Sequence, residues 1–241
     1  MKKVTSAALL ALKLTWKAAA LTFLLTAIVQ VIEACRELMP GGVPLQAAFG
    51  FETFLRSAAQ PAGKWWCVML LVFLTFRPAA SKGSKTVYTM NRLGLSENQM
   101  TLVFGGVFTG YFLLYWAFQL AVCYGFFGWY SRFTLVGSNT FMLAAWRSEW
   151  LHTLLPLNEW WGYLRNLAIC GSFGFSAAIG STLARHGKFP LASLIPPMLC
   201  MFLLTGRVGE LGPEIFLTVI LAVFSIGYYF ALKGGREDED L

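Results

Sequence analysis

Apolar residues along this chain fall in long runs without charge, separated by short segments that carry lysine, arginine, glycine or proline. A helix needs about 20 mostly apolar residues to cross the hydrocarbon core of a bilayer. Residues 18–32 lie between Lys17 and Glu33, which predicts a first span near 16–34. A shorter run at 65–76 spans only if 58–63 or 79–80 extend it and Lys64 snorkels, so the second span is placed near 62–80. No charge occurs between Glu97 and Arg132, which predicts a third span near 100–127. Three further runs, bounded by Arg165 and Arg185, Lys188 and Arg207, and Glu214 and Lys233, predict spans near 164–184, 189–206 and 214–232.

Composition agrees with the pattern. Of 241 residues, 57% are hydrophobic, 16% aromatic and 13% charged. A soluble domain has about 25% charged residues, so neither an ordinary soluble domain nor a disordered chain fits. Mean hydropathy is +0.60. The expected fold class is all-α: one polytopic membrane domain over residues 1–241, with six transmembrane helices. The net charge is +7. Without a basic face on a soluble fold it does not point to nucleic acid.

The charge sets orientation instead. With six spans, Lys2, Lys3, Lys13, Lys17, Arg77, Lys82, Lys85, Arg92, Arg185, Lys188, Lys233 and Arg236 fall on one side. Arg36, Arg56, Lys64, Arg132, Arg147, Arg165 and Arg207 fall on the other. Twelve against seven makes the first side cytoplasmic, with both termini on it. Residues 4–14 read as a short helix on the inner surface, before the chain turns inward. Lys2 and Lys3 before an apolar run also resemble a signal peptide, but retention as a first span is expected. Residues 133–155 carry Arg147, Glu149 and His152, and read as an outer-surface segment rather than a seventh span. Phe141, Leu143, Ala144, Trp146, Trp150, Leu151, Trp160 and Trp161 suit an interfacial aromatic belt there.

Candidate chemistry is sparse. The two histidines, His152 and His186, fall in loops, and neither HExxH nor GxSxG occurs. Gly83-Ser84-Lys85-Thr86 lacks the glycines of a phosphate-binding loop. Cys35, Cys67, Cys123, Cys170 and Cys200 form no CxxC pair and read as packing residues, so no metal site is expected. The span interiors hold no acid, base or histidine, which argues against an ion-coupled carrier or channel and against a membrane-embedded enzyme. Their polar groups include Gln30, Gln119, Tyr111, Tyr115, Asn166, Ser172 and Ser176, read first as hydrogen-bonding glue between helices. Gly106 and Gly110 form a GxxxG motif, and Gly171, Gly174 and Gly180 line the fourth span as candidate helix-packing sites. Pro196-Pro197 should kink or break the fifth span.

The most distinctive segment is the loop after the second span, Ser81-Lys-Gly-Ser-Lys-Thr-Val-Tyr-Thr-Met-Asn-Arg-Leu-Gly-Leu-Ser-Glu-Asn-Gln99. Ser84 can cap a short helix over 85–93, and Gly94 can end it. Ser96 and Gln99 then form a capping box that starts the third span. This loop, with six spans and an inner-surface N-terminal helix, resembles the permease subunit of bacterial ABC-2-type ATP-binding cassette transporters. The resemblance implies a coupling helix in which Lys85, Thr86, Tyr88, Asn91, Arg92 and Leu93 contact a separate ATPase subunit. It further implies a second, identical or related permease, and location in the bacterial cytoplasmic membrane amid lipid. The chain itself would bind no cofactor and would not be an enzyme; ATP and magnesium would sit on the partner. The function so implied is an exporter.

Overall fold

The computed structural model describes residues 2–38, 50–79, 92–132, 139–157 and 160–188, with isolated positions 190, 193, 194, 197 and 219. All regular structure among them is helical. The elements are α1 (Lys2–Leu38), α2 (Phe51–Ala58), α3 (Gln60–Ala79), α4 (Glu97–Tyr130), α5 (Thr140–Arg147), α6 (Glu149–Leu154) and α7 (Trp160–Arg185). Three segments are long and apolar enough to cross a membrane: Lys3–Glu37, Glu97–Tyr130 and Trp160–Arg185, with mean hydropathies of 1.9, 1.5 and 1.5. They contain the first, third and fourth expected spans. The fifth and sixth fall almost wholly outside the described residues.

α1 corrects one expectation. No separate helix over 4–14 precedes a turn; a single helix of 37 residues runs through it. No proline or glycine interrupts the stretch, and one face continues unbroken along its length. Ala7, Ala11, Thr15, Ala19, Thr22, Thr26, Gln30 and Ala34 are all buried, at steps of three or four residues. Small side chains let neighbouring helices approach closely in a membrane. Between them point large exposed residues such as Leu9, Trp16, Leu24 and Ile32, which suits a helix with lipid on its other side. The threonine hydroxyls donate one turn back, Thr15 to the Ala11 carbonyl at 2.7 Å and Thr26 to that of Thr22 at 2.7 Å. No polar hydrogen is thereby stranded.

α3 reaches 20 residues because it takes in part of each extension that the sequence left open, residues 60–63 at one end and 79 at the other. Pro61 sits in its first turn, where a missing N–H costs little. Pro78 falls in its last turn.

The contacts fix how the long helices run. The end of the 92–96 segment lies beside the start of α1: a Cβ on Gly94 would be 3.5 Å from Lys3 Nζ. Further along, Gln30 of α1 meets Gln119 of α4. α1 and α4 therefore run in the same direction. Thr101 near the start of α4 meets Thr182 near the end of α7, and Phe112 packs on Phe173, so α7 runs oppositely. α3 runs with α7: Gly63 approaches Gln119, and Thr75 abuts Gly180. Up, down, up and down, the four helices put residues 2–3, 92–97 and 185–188 at one end. α2, α5 and α6 occupy the other.

That far end is an aromatic cap. Phe51 and Phe54 of α2 pack on Phe126, Phe127 and Tyr130 of α4, with ring centroids 5.4–5.7 Å apart. Residues 139–157 form only two helices, of eight and six residues, too short to span. Met142, Leu143, Trp146 and Trp160 are exposed there, as an interfacial belt requires. Ala144, Trp150 and Leu151 are not part of that belt. All three are buried in the core, where Trp150 lies against Gly63 of α3.

Candidate functional site

Lys85, Thr86, Tyr88 and Asn91 lie outside the described residues. Arg92 and Leu93 are within them. Arg92 is exposed. Leu93 is half-buried and packs, with Leu95, on the larger apolar cluster of its own chain. Gly94 takes φ +58°, the left-handed conformation that ends a helix and that other residues adopt at a cost. Ser96 Oγ then accepts from the Gln99 N–H at 3.3 Å, and Gln99 Oε1 accepts from the Ser96 N–H at 3.2 Å. Both halves of the capping box are present, and α4 starts there without slack. His186 Nε2 lies 2.9 Å from Glu97 Oε1, so the end of α7 is tied to the same corner. Arg185 Nη2 donates to Thr182 Oγ1 at 3.0 Å. The signals for this corner were local ones, a glycine and a Ser-x-x-Gln spacing. The His186–Glu97 contact is long-range and left no trace in either local sequence.

The glycines divide. A Cβ on Gly174 would run into the backbone nitrogen and side chain of Thr109, so α7 lies directly on α4 there. One on Gly180 would come within 2.7 Å of Ser193 Oγ and 2.8 Å of Thr75 Cγ2. Gly106, Gly110 and Gly171 have no described atom within 4 Å of that position. The GxxxG pair thus seats no described neighbour. Gly105, one residue earlier, takes a close contact instead, with the Phe175 ring 2.5 Å from its Cβ position. Spacing alone does not tell which face of a helix meets a neighbour.

Beneath the aromatic cap the buried polar side chains converge. Gln30 Nε2 donates to the Ala59 carbonyl at 2.9 Å and to Gln119 Oε1 at 2.8 Å. Tyr115 Oη donates to the Gly63 carbonyl at 2.9 Å. Trp116 Nε1 donates to the Leu154 carbonyl at 2.8 Å, and Asn166 Nδ2 to that of Thr153 at 2.7 Å. His152 is buried, its Nδ1 3.1 Å from the Ala145 carbonyl, within the cap rather than in a solvated loop. These bonds tie α1, α3, α4, α6 and α7 together at one level. A cavity of about 90 Å³ opens beside them. Cys67 of α3, Tyr115 and Gln119 of α4, Trp150 of α6, and Cys170 and Phe173 of α7 form much of its wall. Among the described residues no charged side chain lines it.

No three His, Cys, Asp or Glu side chains gather among the described residues. Cys35, Cys67, Cys123 and Cys170 are free thiols. Helices of this length and hydropathy, with large apolar side chains on their outer faces, define an all-helical membrane protein. Compared with known proteins, the chain matches no family model, no curated protein and no solved structure.

Proposed function

We propose that this chain is the membrane permease subunit of an ABC-2-type transporter, an exporter driven by ATP hydrolysis on a separate subunit. The observation that carries the reading is the corner at 92–99. A left-handed glycine and a complete capping box join residues 92–96 directly to the start of α4. That helix reaches 34 residues to the aromatic cap, the start of α1 lies beside the same corner, and the end of α7 is tied to it. A push on the loop would therefore act on three helices together. α3 and the runs at 189–206 and 214–232 complete six spans in this reading, with both termini cytoplasmic and a second permease opposite.

The described geometry changes one role. Leu93 faces its own core, so it would anchor the loop rather than meet the ATPase. Contact falls to Lys85, Thr86, Tyr88, Asn91 and Arg92. Interface energy concentrates in a few aromatic or arginine anchors, and truncating one costs about 2 kcal/mol or more. The test is capture of the tagged full chain from its native membrane. An ATPase subunit should come with it, and Tyr88→Ala should reduce that recovery while membrane insertion stays unchanged. ATP turnover by the purified chain alone, lost on mutating one of its own residues, would overturn the reading. So would transport by the Tyr88→Ala complex at the unmodified rate with full ATPase recovery.

A further inference from the structure

The passage from α2 into α3 carries a row of polar side chains. Between the two helices, Ala59 keeps right-handed angles, φ −98° and ψ −44°. Its N–H donates to the Leu55 carbonyl and its carbonyl accepts from the Gly63 N–H, both at 3.0 Å. The helical path is therefore unbroken. Arg56, Gln60 and Lys64 fall on one face of it, at steps of four residues, with about 5–6 Å between successive Cβ atoms. Arg56 is exposed, and Gln60 and Lys64 are half-buried. Among the described residues none of the three side chains makes a hydrogen bond or an ion pair. Two charges act on Lys64 electrostatically, Glu149 at the start of α6 and Arg56. Two cations against one acid leave this rim of the cap with a net charge of +1.

The surroundings are apolar and exposed. Trp146 lies three residues before Glu149, and Trp65 follows Lys64 directly. From Trp65 an exposed track of Met69, Phe73 and Phe76 continues along α3. Basic groups at the level of an aromatic belt, above a track for hydrocarbon, have the layout of a phospholipid rather than of a dissolved ion. A guanidinium matches two phosphate oxygens at once, an ammonium adds a compact charge, and the Gln60 amide adds a neutral donor. We propose that Arg56, Gln60 and Lys64 bind the phosphodiester of an anionic membrane phospholipid, with its acyl chains along Trp65, Met69, Phe73 and Phe76. The single negative charge of that head group balances the +1 of the rim, whereas a zwitterionic one brings no net charge. The site does not depend on the transporter reading.

The experiment uses the full chain purified in detergent, with thermal unfolding followed in mixed micelles against the mole fraction of phosphatidylglycerol or of phosphatidylcholine. A bound ligand raises the midpoint by mass action. Phosphatidylglycerol should bind more tightly than phosphatidylcholine. A basic residue near an anionic lipid surface is worth about fivefold in affinity. Lys64→Gln and Arg56→Gln should each weaken phosphatidylglycerol binding by about that factor, and Lys64→Arg should retain it. Glu149→Gln removes the opposing charge and should tighten binding. Arg147 is exposed on the same end of the bundle but does not act on Lys64, so Arg147→Gln should leave binding unchanged. Equal affinity for the two lipids, weaker binding in Glu149→Gln, or an equal loss in Arg147→Gln would each overturn the proposal. So would a midpoint shift with inorganic phosphate as large as that with phosphatidylglycerol, which would assign the row to a dissolved anion.

Discussion

Gly171 and Gly174 sit one helical turn apart on α7, and alanine at each should have opposite effects. At Gly174 the new methyl meets the backbone nitrogen, Cα and side chain of Thr109 on α4. Backbone cannot rotate away as a side-chain tip can, so the two helices must separate. Overpacking of this kind costs about 1–3 kcal/mol. At Gly171 the same methyl meets no described atom within 4 Å. There the substitution only removes the glycine's conformational penalty, a gain of about 0.5–1 kcal/mol in a helix interior. The two variants should thus differ by roughly 1.5–4 kcal/mol. For a chain of this size each kcal/mol moves the unfolding midpoint by about 2–4 °C. Fluorescence-detected melting in one detergent should therefore place Gly174→Ala roughly 3–16 °C below Gly171→Ala, with the parent between. Equal midpoints, or the reverse order, would refute the direct seating of α7 on α4 at Thr109.

Three further outcomes follow from the same contacts. Gln30→Leu strands the Ala59 carbonyl and Gln119 Oε1, and should cost about 1–3 kcal/mol in chemical denaturation; the double variant with Gln119→Leu should cost less than the sum of the two single ones. Ser96→Ala removes the cap of α4 and should cost about 0.5–2 kcal/mol, seen as faster amide hydrogen exchange confined to the first turn, whereas Ser131→Ala at the other end should leave that turn unchanged. Cysteines placed at Arg92 and at Leu143, in a chain freed of its own, should label from opposite sides of the membrane, because the four helices alternate in direction; labelling of both by one impermeant reagent would refute the arrangement.

Much of the fold was legible because the bilayer imposes a length on apolar runs, and charge marks where they end. The stretch free of charge between Glu97 and Arg132 became α4, and that between Arg165 and Arg185 became most of α7. The corner at Gly94 and Ser96 was legible for a different reason. A left-handed glycine and a Ser-x-x-Gln box solve local problems of unsatisfied N–H and C=O groups, and local problems leave local marks. The inner-surface helix over 4–14 was misread because Lys13 and Lys17 looked like the limit of the apolar run. Their long side chains lie on the exposed flank of α1, while Ala7, Ala11, Thr15 and Ala19 carry the buried stripe past them.

The cavity was not legible at all, although every residue in its wall had been visible. Gln119 was taken as one polar group among several that glue helices. Its identity as glue is half right: Oε1 holds Gln30, and through it the Ala59 carbonyl of the α2–α3 junction. What remains is decided by three residues far apart in the chain. Gly63 has no Cβ, so the Trp150 ring can come within 2.5 Å of where one would be, with Gln119 Oε1 at 3.0 Å. That close approach places an indole from the short cap helix α6 beside an amide from the long helix α4. Alanine at Gly63 would push the Trp150 ring out of its seat and crowd Gln119 Oε1 as well. Overpacking of this kind costs about 1–3 kcal/mol, so Gly63→Ala should lower the melting midpoint by about 2–12 °C. A midpoint equal to the parent's would show that neither the indole nor the amide is seated against Gly63.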